Sequence, residues 1–132
     1  MIVDTSALMA ILFAEDDAWR YAKAMAAAPV CRLSAATFVE AAIVIEAHSK
    51  GGSGHQLDAL LREAAIKIEP VTEEHAHLAR QAYLDFGRGR HPAGLNLGDC
   101  FAYALSKATG EPLLFKGLEF ARTDVEPVRF SS

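Results

Sequence analysis

The chain has 132 residues, enough for one domain and too few for a second. Its 52% apolar and 23% charged residues make a globular balance, which excludes a disordered chain and a disulfide-stapled miniature. The net charge of −4 is a poor footprint for gripping nucleic acid by bulk electrostatics, so a polyanionic substrate would need local basic residues or bound cations.

The elements read in chain order as follows. Ile2-Val3 is a short strand whose apolar run stops at Asp4, and Thr5 and Ser6 then offer caps for a helix to about residue 13. An alanine-rich helix covers 16–27, and 30–33 is a strand. Ser34 caps a helix over 35–49, which Lys50-Gly51-Gly52 stops. The Gly51-Gly52-Ser53-Gly54 stretch reads as the most flexible point and is too short for an interdomain linker. A helix over 55–65 leads to a strand at 66–69. Thr72 caps a helix to Phe86 with Ala76, Ala79, Tyr83 and Phe86 on its apolar face. A glycine- and arginine-rich loop, 87–95, precedes a helix capped by Asn96 and ended by Gly110. Residues 113–115 form a buried strand and 125–128 an edge strand, because Pro127 cannot donate to a central ladder. Short apolar strands alternating with helices imply an α/β fold with a parallel sheet covered on both faces.

No apolar stretch reaches the ~20 residues of a membrane span, and Met1-Ile2-Val3-Asp4 lacks the basic and apolar regions of a signal peptide, so the expected location is cytoplasmic. Cys31 and Cys100 match no metal spacing and read as reduced core thiols.

The informative residues are carboxylates in places where a core should be apolar. Asp4 ends the first strand, on the edge where open parallel sheets bind ligands; helix capping is its bland alternative. Glu40 has Ala36, Thr37, Ile43 and Val44 one turn away, in a helix apolar nearly all round. It is expected to be buried, and a buried carboxylate needs a cation, an arginine partner or a raised pKa. Glu46, near the helix end, reads as solvated. Asp99 stands third after Asn96 and fits a capping box, a role compatible with a second one. Gly98 beside it costs ~1 kcal/mol in a helix relative to alanine and signals a close approach. Glu119 and Asp124 follow the 113–115 strand on the same side of the sheet, with Asp124 better read as a surface acid.

Several carboxylates at one sheet edge repel each other unless a cation sits among them, and all-oxygen donors favour Mg2+, with Mn2+ as a substitute, over zinc. The histidines offer no zinc site: His75 and His77 point in different directions, and His48, His55 and His91 are scattered. Carboxylate-held divalent ions suit phosphodiester hydrolysis by activating water and neutralising charge. Arg88, Arg90 and His91, before Asp99, and Lys116 and Arg122, after it, are candidates for phosphate contacts, with solvated loop charges as the alternative for each.

Three segments together, Met1-Ile2-Val3-Asp4-Thr5-Ser6-Ala7, the helical Glu40, and the run His91-Pro92-Ala93-Gly94-Leu95-Asn96-Leu97-Gly98-Asp99-Cys100-Phe101-Ala102-Tyr103-Ala104, resemble the VapC toxins of mycobacteria and related bacteria, which are PIN-domain ribonucleases. The resemblance implies a single PIN domain over 1–132: a three-layer fold with a five-stranded parallel sheet, order 3-2-1-4-5, and helices on both faces. It implies metal binding by Asp4 and Asp99, with Glu40 a further acid acting directly or through water. A fourth acid usually follows the fourth strand; Leu118 stands where relatives carry aspartate, leaving Glu119 as the candidate. The resemblance further implies an RNA substrate, a VapB-type antitoxin that blocks the site, and a homodimer in a heteromeric assembly with that antitoxin. A non-catalytic PIN-like module that binds RNA or protein is the competing reading, supported by the departure at Leu118. A magnesium aspartyl-phosphate domain fits poorly, since Ser6 stands where a dehalogenase-type phosphatase needs a second aspartate.

Overall fold

The computed structural model describes residues 1–48 and 54–131. Strand β1 (Ile2–Val3) is followed by helices α1 (Thr5–Leu12) and α2 (Ala18–Ala27). Then come β2 (Cys31–Ser34), α3 (Ala35–His48), α4 (Gly54–Glu63) and β3 (Ile66–Glu69). The chain continues through α5 (Glu73–Phe86), α6 (Leu97–Thr109) and β4 (Leu113–Leu114), and a 3-10 turn spans Phe120–Arg122. Of the expected flexible stretch only Gly54 is described, as the first residue of α4; Gly51, Gly52 and Ser53 lie outside the described residues.

All strand pairs are parallel and the order is β3-β2-β1-β4. The chain therefore steps outward from β1 through β2 to β3 and returns to lay β4 on the other side of β1. That reversal opens a crevice at the carboxyl ends of β1 and β4, where the following segments diverge. Asp4, Lys116 and Glu119 all leave the sheet there.

Alternation along the strands divides the core in two. Val3, Leu33 and Leu114 face one cluster, with Leu8, Tyr21, Met25, Ile45 and Leu57 from α1 to α4. Ile2 and Leu113 face the other, with Ala82 of α5, Leu105 of α6 and Phe120. Ile2, Leu33, Leu113 and Leu114 are fully buried, each stabilising the fold by roughly 1.5–3 kcal/mol. Cys31 and Cys100 are buried free thiols, as expected.

Three expectations need correction. Among the described residues the sheet has four strands and not five. The 125–128 segment does run parallel beside β4 on the outer edge, donating from Val128 to Leu113 and accepting at Glu126 from Leu113, but it makes a single bridge at Pro127. Proline has no N–H to extend the ladder, so the edge strand is reduced to one point of attachment. The buried face of α5 is Ala79 and Ala82, with half-buried Leu78 and Phe86, whereas Ala76 and Tyr83 are exposed. Leu78, Ala82 and Phe86 keep four-residue spacing and a phase that the flanking tyrosine disguises. Helix α4 stops at Glu63, short of 65, because Ala65 takes a left-handed φ of 52°.

Candidate functional site

The cap of α1 is Asp4 itself and not Thr5 or Ser6. Its backbone is extended, its Oδ2 accepts from the Ser6 backbone N–H at 3.0 Å, and the helix begins at Thr5. A chain of donors fixes the carboxylate further: the Lys116 N–H donates to Ser6 Oγ at 2.9 Å, and the Ser6 hydroxyl donates to the same Asp4 Oδ2 at 2.6 Å. The other oxygen, Oδ1, is buried and has no hydrogen-bond partner among the described residues. Asp4 is only 3% exposed.

Asp99 stands in the first turn of α6. Its Oδ2 accepts from the Asn96 N–H at 3.0 Å while Asn96 Oδ1 accepts from the Asp99 N–H at 2.9 Å, a complete capping box. Glu40 reaches the same place from α3. Thr5 donates its hydroxyl to Glu40 Oε1 at 2.6 Å. Glu40 Oε2 occupies the space above Gly98, where an added Cβ would lie 1.8 Å from it. The close approach signalled by Gly98 is therefore that of a glutamate carboxylate. Helix α3 is not buried all round as expected: Val39 and Ile43 are 53% and 63% exposed, and Glu40 is half-buried between the two environments.

A cavity of about 230 Å³ joins Asp4, Glu40 and Asp99 to Glu119, with Arg88 and Lys116 at its margin. Glu119 lines it although exposed, while Leu118 is 66% exposed and takes no part, so the fourth acid sits one residue later than the resemblance implies. Asp124 lies elsewhere, accepting from Tyr103 at 2.6 Å and pairing with Lys107 at 3.0 Å. Glu46 is exposed, as read.

The electrostatics follow from this crowding. Burial pushes Asp4 up to about 7 against the lowering effect of the Ser6 hydrogen bonds, and the Asp99 and Glu40 carboxylates add to the rise. Burial likewise pushes Asp99 up to about 6; Glu40 and Glu119 raise it further, while the Asn96 N–H and Arg88 pull it down.

The basic candidates divide. Arg88 lines the cavity, held there by a loop pinned through Arg88 N–H to Leu95 O at 3.0 Å and Leu95 N–H to Phe86 O at 2.9 Å. The Lys116 amine is committed to Glu15 at 2.8 Å and Asp17 at 2.9 Å, so it fastens the α1–α2 turn and is not free for phosphate. Arg90 Nε donates to Leu84 O, Arg122 to Pro92 O, and His91 Nδ1 accepts from the Ala93 N–H, all outside the cavity lining. The sequence reading missed Thr5 and Ser6 as site residues. Two hydroxyls directly after a strand-ending acid were the available signal, read only as helix caps.

Oxygen donors, an Asp4 Oδ1 buried without a partner among the described residues, and acids raised by burial and further by mutual repulsion fit a hard divalent cation. Among the described residues no three acidic, histidine or cysteine side chains converge into a ready-made cage.

The PIN domain family model matches residues 1–126. Ribonuclease VapC28 of Mycobacterium tuberculosis is 55% identical over 127 residues, covering 96% of each chain. Among solved structures, the sarcin–ricin-loop-cleaving toxin VapC20 of Mycobacterium tuberculosis superposes with a TM-score of 0.78 at 18% identity, covering 97% of this chain and 98% of that one. A toxin–antitoxin complex from Klebsiella pneumoniae gives 0.66 at 17% identity, covering 93% and 92%. The four-stranded parallel sheet, the acids at its carboxyl edge and the near full-length identity agree: the chain belongs to the PIN-domain family, among the VapC ribonucleases.

Proposed function

We propose that the protein is a magnesium-dependent endoribonuclease, the toxic member of a toxin–antitoxin pair, restrained by a VapB-type antitoxin. The observation that carries this reading is a cavity lined by Asp4, Asp99 and Glu40, in which the buried Asp4 Oδ1 has no partner among the described residues. Asp4 and Asp99 would hold the cation, with Glu40 and Glu119 acting through its water shell. When bound, the ion lowers the pKa of a water and neutralises charge developing on the scissile phosphate. Ser6 keeps Asp4 Oδ2 engaged and leaves Oδ1 the oxygen available to a cation. Thr5 holds Glu40 by Oε1, and Oε2, above Gly98, is the atom that accepts the proton of the attacking water. Arg88 meets the phosphate and offsets the surrounding acids.

The antitoxin assignment draws on relatives named as VapC ribonucleases and on the fold shared with a toxin–antitoxin complex. A short segment of that partner lying over the cavity mouth would exclude RNA. In the test, Asp99→Asn lowers RNA cleavage in Mg2+ by more than about 100-fold with the circular dichroism spectrum unchanged. Full activity of that variant, or of the parent in excess chelator, contradicts the proposal.

A further inference from the structure

A second concavity, about 880 Å³, runs along α2 against the C-terminal segment. Its walls carry Trp19, Arg20, Lys23, Glu126, Arg129 and Phe130 over a floor of alanine and proline side chains. Trp19 is 63% exposed, a large planar apolar surface left in water. The Arg20 guanidinium lies 4.0 Å from the Phe130 ring centre, and Phe130 packs edge-on against Tyr21 at 5.5 Å, so this wall is held rigid by aromatic contacts. Arg20, Lys23 and Arg129 take part in none of the salt bridges found among the described residues. Three cations against Glu126 make the groove locally positive in a chain whose net charge is −4. The Trp19 end of the groove is linked through the chain to the acidic cavity. Asp17, two residues before Trp19, is tied at 2.9 Å to Lys116, which borders that cavity.

We propose that this groove is an accessory surface for single-stranded RNA, along which the substrate strand leaves the acidic cavity. Trp19 stacks on a base, while Arg20, Lys23 and Arg129 meet successive phosphates. An acidic protein segment meets both features only where its sequence happens to set an aromatic residue among its acids, whereas a polynucleotide supplies rings and anions together at every step. The surface also answers how an acidic protein attracts a polyanion: the positive charge is displaced from the catalytic edge to the side of α2. This inference deepens the ribonuclease reading and rests on it.

Trp19 is the only tryptophan in the chain, so emission excited at the red edge of indole absorption, where tyrosine does not absorb, reports on the groove alone. The experiment titrates the protein with a short single-stranded oligo-uridylate at low salt in chelator, where no cleavage competes. Quenching of Trp19 emission is expected, with apparent affinity falling at least about tenfold in Lys23→Glu/Arg129→Glu. The salt slope should flatten by roughly 1.4, two phosphate contacts at ~0.7 each. Both side chains are exposed, and an unchanged circular dichroism spectrum certifies the variant. No quenching, or quenching indifferent to both charge reversals, overturns the proposal. Equal quenching by oligo-glutamate overturns the RNA assignment in favour of an acidic protein segment. The titration reads binding and not cleavage. A protein that cuts RNA without a Trp19 response therefore loses the groove alone, and one that quenches but never cuts loses the ribonuclease reading alone.

Discussion

Two clusters of carboxylates sit on the same small sheet and behave in opposite ways. At β2, Arg32 pairs with Glu69 at 2.9 Å and Glu111 at 2.8 Å, and the Met1 amine joins Glu111. Burial alone would push Glu111 up, but the hydrogen bonds from the Met1 amine and Arg32 hold it below the usual carboxylate range. At the carboxyl edge of β1, Asp4 and Asp99 share a cavity with Glu40 and Glu119, Lys116 is taken up by Glu15 and Asp17, and burial together with mutual repulsion pushes both aspartates up, with Arg88 pulling Asp99 down. Elsewhere the chain also matches its acids, Glu15 and Asp17 with Lys116, and Asp124 with Lys107 and Tyr103. These acids are matched by cations within the chain, whereas the cluster at the carboxyl edge of β1 is buried without such a match, which is where a cation from solution would fit. Imbalance, more than acidity, marks the site.

The two clusters should be separable by experiment. The largest effect is on chemistry, the loss of cleavage in Asp99→Asn described above. Gly98→Ala comes next. Alanine favours helix by ~1 kcal/mol, yet its Cβ would lie 1.8 Å from Glu40 Oε2 and must displace that carboxylate. Cleavage should fall on the order of 10- to 100-fold with little loss of thermal stability. Unchanged kcat would show that the position of Glu40 does not matter.

Asp4→Asn tests the imbalance through pH. Between the unfolded value of 3.8 and the folded value of about 7, the native protein holds a proton on Asp4 that the unfolded chain has lost. Cation-free stability therefore falls as pH rises through that window, by roughly 4 kcal/mol, and Asp99 adds to the fall up to about pH 6. Asparagine caps α1 as well as aspartate does, so Asp4→Asn should be more stable than the parent at pH 8 without cations and less sensitive to pH. Denaturant unfolding at pH 5 and pH 8 checks this.

Arg32→Met tests the balanced cluster, where the sign reverses. The Glu111 contribution is present above its unfolded value of 4.5 and lost as pH falls through its lowered folded value. The variant should lose stability at neutral pH, keep its response to Mg2+ and keep its cleavage. The smallest effect is expected from Tyr103→Phe, which removes one hydrogen bond to Asp124 and costs about 1 kcal/mol in chemical unfolding.

Local chemistry made much of this legible in advance. An apolar strand stopped by Asp4, an Asn96–Asp99 spacing and a costly Gly98 are short-range signals, and each corresponds to a feature of the cavity. Glu40 was singled out on the expectation of a buried helix, whereas its place depends on contacts to Thr5 and Gly98 on other elements. Lys116 shows the limit most clearly. Its partners lie about a hundred residues away, so a cation that reads as a phosphate ligand is a clamp on the α1–α2 turn. The fifth strand failed for a local reason given too little weight, the missing N–H of Pro127.

The central claim is that Asp4 and Asp99 together await a divalent cation, and Mg2+-dependent thermal unfolding at pH 8 tests it most directly. The parent should rise by several degrees on adding Mg2+ in excess over its dissociation constant, and Asp4→Asn/Asp99→Asn should already unfold higher without the ion and gain nothing from it. An equal rise in parent and double variant would contradict the account.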